Sequence, residues 1–102
     1  MIKADTILET ARKLNVQAAI EVPKDVQRQI EGMKEKETNK LSRYVLDKIL
    51  ENYDAAIKDQ RPMCADTGLP RYYAKIGNDA AIEGGFVALE KMLRQAGRSA
   101  LA

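Results

Sequence analysis

The feature that most restricts the fold of this chain is a long run of helically spaced apolar residues between a cap and a proline. Thr38-Asn39 is a good helix start, and Pro62 prevents a helix from continuing. The apolar side chains that recur between them at helical spacing are Leu41, Tyr44, Val45, Ile49, Tyr53, Ala56 and Ile57. The pattern predicts a helix over about residues 39–58, the longest in the chain.

The flanking sequence predicts three further helices and one strand. Asp5 or Thr6 can cap a first helix, and Pro23 can open a second one. The predicted apolar faces are Ile7, Ala11, Leu14 and Ala18 in the first helix, Val26, Ile30 and Met33 in the second, and Ile82, Phe86, Leu89 and Leu93 in the last. Leu69 to Ile76 alternates weakly and contains two tyrosines, which is typical of a strand.

These elements predict a mainly α fold with a short β element. We expect three to four amphipathic helices and one short strand or hairpin, forming a partial α+β domain over residues 1–102. A lone strand leaves backbone groups without partners. We therefore expect either that Met63-Cys64 pairs with Leu69–Ile76, or that the partner comes from protein outside this sequence.

Composition excludes several functions. The 17 basic and 15 acidic residues are nearly balanced and interspersed, which argues against a nucleic-acid or anionic-membrane partner. No apolar run is long enough to span a bilayer. The chain has no histidine, so Ser-His and Cys-His catalytic pairs are impossible. One cysteine cannot form an internal disulfide, which favours a reducing cytoplasm.

That cysteine, Cys64, lies in the run Arg-Pro-Met-Cys-Ala-Asp-Thr-Gly at residues 61–68. A lone cysteine is most often a small buried apolar residue. Here the neighbours are polar, and Arg61 and Arg71 flank the loop. Nearby positive charge favours the thiolate, which is the form that binds metal. One thiol without histidine is too few ligands for a complete zinc or iron–sulfur site, so Cys64 can be only one ligand of a shared site.

The Pro-x-Cys-x-Asp-Thr-Gly motif, after a long amphipathic helix and before Tyr-Tyr-x-Lys-Ile-Gly, resembles the alpha region of class I fumarate hydratases and L-tartrate dehydratases. The resemblance implies that residues 1–102 are a single N-terminal helical segment of an iron–sulfur hydro-lyase. In this family three cysteines hold a [4Fe-4S] cluster, and the first of them matches Cys64. The other cysteines and the catalytic histidine would follow Ala102, so we expect the isolated chain to be inactive.

The resemblance also implies substrate contacts. The motif's aspartate, which contacts substrate in the family, matches Asp66, and Thr67 and Gly68 match its close. We expect Thr67 to be a further substrate-binding residue. Ala65 departs from the usual glutamine and offers no side-chain donor. From its chemistry, Arg71 could pair with a substrate carboxylate. Two alternatives stay open: that Asp66 closes an Asx turn, and that Arg71 forms a surface ion pair.

The implied partners are the remainder of the alpha region, a beta subunit or domain, a dicarboxylate substrate and further copies in a homo-oligomer. Two other functions stay open. A shortened chain could serve as a non-catalytic assembly or regulatory module, docking through its amphipathic helices. Cys64 could also be a redox-sensing thiol, although the sequence contains no resolving cysteine.

Overall fold

The structure, a computed structural model, describes residues 1–66 and 68–100. Four helices lie in this part of the chain: α1 (Ala4–Ile20), α2 (Lys24–Lys36), α3 (Lys40–Asp59) and α4 (Gly85–Ala100). The chain divides into two compact units, one formed by Met1–Gln17 with Thr67–Ala102 and the other by Ala18–Asp66. None of the helices in the described residues is both long enough and apolar enough to cross a membrane.

Helix α3 confirms the prediction of a long central helix. It has 20 residues and is the longest of the four. The Asn39 side chain accepts hydrogen bonds from the backbone N–H groups of Leu41 (3.0 Å) and Ser42 (3.1 Å), which stabilises two donors that have no helical partner. The local signals at both ends of this helix are therefore sufficient to place it.

The carboxyl end of α3 turns sharply at Gln60. Its backbone is left-handed, with φ 53°, a conformation unusual for a residue other than glycine. The Arg61 N–H donates to the Ala56 carbonyl at 3.0 Å and the Gln60 N–H donates to the Ile57 carbonyl at 3.4 Å. This pair of bonds is a Schellman motif, and it directs the chain out of the helix into the Cys64 loop.

In the second unit, α2 packs on α3. The ammonium group of Lys34 donates to the Asp47 carboxylate at 2.5 Å, which links the two helices. Ala56, on the inner face of α3, is buried, as is Ile20 at the end of α1. Helix α2 runs to Lys36 despite its glycine, but its predicted apolar face is wrong in part, because Val26 and Met33 are exposed.

In the first unit, the extended amino terminus lies beside residues 81–83. Ile2 and Ile82 form an isolated parallel bridge, with hydrogen bonds from Ile2 N–H to Ala81 (2.8 Å) and from Glu83 N–H to Ile2 (2.9 Å). The bridge places Ile82 before α4 rather than on it. Phe86, predicted for the same inner face, is 69% exposed, whereas Ala96 and Gly97 of α4 are buried.

The predicted β element is wrong. No strand is formed in the described residues, and Leu69–Ile76 is extended without a ladder. Pro70 lacks an N–H to donate to a ladder, and neither Met63 nor Cys64 pairs with the segment. The apolar side chains of this segment are not buried either, because Leu69, Tyr73 and Ile76 are 91%, 92% and 38% exposed. The described fold is therefore mainly α, not a partial α+β domain.

One glycine in the turn before α4 is required by packing. Gly84 has a positive φ of 80°, and a Cβ added there would lie 2.6 Å from the Cβ of Ala88. Real Cβ atoms do not approach so closely, so only glycine fits. The neighbouring Gly85 N–H donates to the Ile82 carbonyl at 2.9 Å, closing the turn.

Candidate functional site around Cys64

The Cys64 loop is held by two hydrogen bonds to the residue that precedes the cysteine. The Met63 N–H donates to the Ala19 carbonyl at 2.9 Å, at the end of α1. The Met63 carbonyl accepts from the side-chain amide of Asn52, in α3, at 2.7 Å. Both backbone groups of Met63 are thereby bonded to helices, so the thiol that follows projects from a fixed point of the chain.

The thiol itself is accessible. Cys64 is an exposed free cysteine, so the alternative of a small buried apolar residue is wrong. Its one hydrogen bond within the described residues is a long contact of 4.0 Å from Sγ to the Asp66 carbonyl oxygen. A thiol is a weak donor, so this contact leaves the sulfur open to an external partner.

Asp66 lies in the same loop and is also exposed. Within the described residues its carboxylate accepts no hydrogen bond, and the Gly68 N–H is not bonded to it, so the Asx turn is absent. Cys64 and Asp66 are thus two residues apart in one exposed loop, and the Asp66 carboxylate is open to an external partner. Thr67, the third predicted residue of the motif, lies outside the described residues.

Arg71 belongs to the first unit, in the extended segment before Tyr72. Its guanidinium is exposed and forms no ion pair with any described residue, so the predicted surface ion pair is not formed. Arg61, by contrast, pairs with Asp59 at 2.9 Å. Of the two arginines that flank the cysteine in sequence, Arg71 is therefore the one that has no acidic partner among residues 1–66 and 68–100.

The role of Asn52 in holding the loop was not predicted from the sequence. A signal was present, because asparagine in a helix interior is unfavourable unless its side chain has a use elsewhere. The Ala19 carbonyl carried no such signal. Every residue has a backbone carbonyl, and only the fold decides which one meets Met63.

The metal-binding side chains of the described residues do not form a complete site. No group of three metal-binding side chains of the His, Cys, Asp and Glu types occurs in residues 1–66 and 68–100. Iron–sulfur clusters need several thiolates. Cys64 can serve as one exposed thiolate ligand, but the sequence given has no second cysteine to complete a set of thiolate ligands.

The sequence is similar to known proteins over most of its length. The family model described as "Fumarate hydratase (Fumerase)" matches residues 8–102. A protein of Methanocaldococcus jannaschii, provisionally named L(+)-tartrate dehydratase subunit alpha, is 37% identical over 76 residues, covering 74% of this chain and 25% of the relative. The L(+)-tartrate dehydratase subunit alpha of Escherichia coli K12 is 26% identical over 90 residues, covering 88% of this chain and 29% of the relative.

The chain spans about a quarter of the length of the curated relatives that it matches. No solved structure matches it. The family match includes the long helix α3, the Cys64 loop and the extended segment that follows, which are the features that carried the resemblance. Because that match extends over residues 8–102, this chain belongs to the fumarate hydratase (Fumerase) family.

Proposed function

We propose that this chain is part of the alpha subunit of a hydro-lyase, in which Cys64 supplies one thiolate to a [4Fe-4S] cluster. The reaction proposed is the reversible hydration of a dicarboxylate, of the fumarate-to-malate or tartrate type. The observation that carries the proposal is the exposed thiol next to a residue whose backbone groups are both bonded to helices. A metal ligand gains affinity from being held in place before binding.

The chemistry that such a cluster supplies when bound is Lewis-acid polarisation of a substrate hydroxyl and carboxylate. The chain's own residues contribute binding and orientation. The Asp66 carboxylate, which accepts no bond from a described residue, can accept a hydrogen bond from a substrate hydroxyl. Thr67, by its place in the motif, would be a further substrate contact.

Ala65 has no donor where the family commonly has glutamine, so we assign a substrate carboxylate to Arg71. A guanidinium donates two parallel hydrogen bonds to a carboxylate, and Arg71 has no acidic partner in the described residues. This assignment predicts that the Arg71→Lys variant, which keeps the charge but loses the paired donors, weakens substrate binding.

One thiolate and no histidine cannot complete the site, so we propose that the chain alone is inactive. The missing ligands and the proton-transferring groups would come from the remainder of an alpha subunit. The relatives named as subunit alpha support a beta subunit as a further partner. We also propose that the complete protein is a homo-oligomer. We propose the cytoplasm as its location, because an iron-binding thiolate needs reducing surroundings.

The direct test is a transplant of residues 8–102 into the matching segment of the E. coli tartrate dehydratase alpha subunit, produced with its beta subunit. Tartrate dehydration, fumarate hydration, iron and sulfide are measured. Cys64→Ser in the transplant should abolish both activities and lower the iron content, while Ala65→Ser, which adds the same hydroxyl one residue away, should retain them. A Cys64→Ser transplant with full activity and iron would refute the proposal.

A second function is favoured by the outer face of α3. Leu41 is 72% exposed, and Tyr44 and Val45 beside it are exposed as well. Such a face fits a non-catalytic module that docks on an assembled enzyme. Mixing the chain with an intact tartrate dehydratase separates the two functions. An intact enzyme already has all the cysteine ligands of its own cluster, so a chain that acts only as a cluster ligand should not bind to it. Co-elution of the chain with the intact enzyme would therefore favour the docking module.

A further inference from the structure

A groove of about 550 Å³ lies between α4 and the extended segment that carries Tyr72. Leu69, Pro70 and Tyr72 line one side, and the α4 residues Glu90, Leu93, Arg94, Gly97 and Arg98 line the other. All of these residues belong to the first unit. The volume is within the range of about 300–1,000 Å³ that is common for small-molecule sites.

The two sides of the groove come together at Gly97, which is buried. A Cβ added there would lie 3.3 Å from Pro70 Cγ and 3.7 Å from the Tyr72 hydroxyl oxygen. The first of these distances is tighter than most real contacts of a Cβ atom, so a side chain at residue 97 would push Pro70 away. The absence of a side chain therefore brings the Tyr72 hydroxyl to the floor of the groove.

The Tyr72 hydroxyl has a proton to donate. Its oxygen accepts a hydrogen bond of 2.6 Å from the Asn15 side-chain amide. A phenol can accept and donate at the same time. Within the described residues no acceptor takes its proton, so the hydroxyl is prepared for an acceptor that enters the groove.

The charge at the same place is positive. Arg94, one turn earlier in α4, gives both its Nε (3.1 Å) and its Nη2 (2.9 Å) to the Glu90 carboxylate, which compensates its charge. Arg98, next to Gly97, has no ion-pair or hydrogen-bond partner in the described part of the chain. Arg98 and Tyr72 thus contribute an unpaired guanidinium and a hydroxyl donor to the lining of one groove, and both groups suit an anionic acceptor.

We propose that this groove binds a small carboxylate with an apolar body. The carboxylate would accept from Arg98 and from the Tyr72 hydroxyl, and the apolar body would pack on Pro70 and Leu93. An inorganic anion would use only the polar part of the groove, and a neutral apolar molecule only the rest. The combination favours an aryl or alkyl monocarboxylate, a ligand class separate from the dicarboxylate of the proposed reaction.

The test is an NMR titration of the chain with 3-phenylpropionate, using its neutral amide, 3-phenylpropionamide, as the matched probe. We expect saturable shifts of the backbone amides of Tyr72, Gly97 and Arg98 with the carboxylate. Removing one exposed charge pair costs about a factor of five in affinity, so Arg98→Gln should weaken binding about fivefold. Arg43→Gln removes the same charge from an exposed residue of the other unit and should leave the affinity unchanged.

A second variant keeps the test decisive. Tyr72→Phe removes the hydroxyl and should also weaken carboxylate binding, while the amide should bind weakly to all forms. The proposal is overturned if shifts do not saturate or are centred elsewhere, or if the amide binds as tightly as the carboxylate. It is equally overturned if Arg98→Gln, at an exposed position where folding is not at risk, binds as tightly as the original chain.

Discussion

The side-chain amide of Asn52 donates a 2.7 Å hydrogen bond to the backbone carbonyl of Met63, and so joins the middle of α3 to the residue before Cys64. The Met63 N–H is bonded at the same time to Ala19. A long helix thus holds a loop that begins only a few residues after it ends. The link makes the position of the thiol depend on an asparagine 12 residues earlier in the sequence.

Asn52→Asp should loosen this loop. The variant keeps the size of the side chain but has no donor, and its carboxylate repels the Met63 carbonyl. Loss of a hydrogen bond of about 1 kcal/mol corresponds to about a fivefold change in an equilibrium. We expect exchange of the Met63 amide hydrogen, followed by NMR, to speed up about fivefold.

The matched control is Asn39→Asp, the same chemical change at the start of the same helix. There the side chain acts as an acceptor, and a carboxylate can accept in its place. Exchange at Met63 should not change in this variant. Equal exchange in the Asn52→Asp variant and the original chain would show that the bond does not hold the loop.

Cys64 should react rapidly with a chromogenic disulfide reagent in the folded chain. Its thiol is exposed, so no opening of the structure is needed before attack. We expect a rate within about tenfold of that in denaturant. Cys64→Ser removes the only thiol and should give no signal. A native rate as slow as global unfolding would indicate that the sulfur is protected.

Anaerobic reconstitution of the chain with iron and sulfide should yield no stoichiometric cluster. A single thiolate forms a single bond to iron, and competing thiols or chelators remove such a cluster. Iron and sulfide counts, together with the visible absorption, provide the measurement, and Cys64→Ser provides the background. A four-iron chromophore on chains that sediment as monomers contradicts the prediction.

Asp47 should make stability depend on acid pH. The hydrogen bond and charge of Lys34 hold the pKa of Asp47 below its ordinary value of 3.8. A lowered pKa contributes stability that is complete above 3.8 and is lost as the pH falls through the lower folded value. Asp47→Asn should therefore destabilise the chain at neutral pH, and the difference should shrink below that range.

Denaturant unfolding at several pH values measures this effect. The control is Asp54→Asn, which removes an exposed carboxylate from the same helix, one that forms no ion pair with a described residue. It should leave the pH profile of the original chain almost unchanged. High salt should also reduce the Asp47 effect, because the pair lies near the surface and is screened. A difference independent of pH would indicate lost packing rather than lost charge.

The helices could be predicted from sequence because their signals are local. The limits of α3 follow from the Asn39 cap and from Pro62, within one turn of each end. The faces were harder to predict. Leu14 was expected on the inner face of α1 but is exposed, whereas Asn15, beside it, is the residue that bonds Tyr72. Hydrophobic spacing alone does not show which stripe meets a neighbour.

The exposed, polar setting of Cys64 could also be predicted, because proline and polar neighbours act over a few residues. The lack of a strand at Leu69–Ile76 could not be predicted, since a strand exists only where a second backbone supplies a ladder, and no pairing of this segment occurs in the described residues. Sequence alone therefore determined the long helix, the single thiol and the motif that contains it. Tertiary structure alone decided that Asn52 and Ala19 hold Met63, because those bonds depend on which distant groups packing brings together.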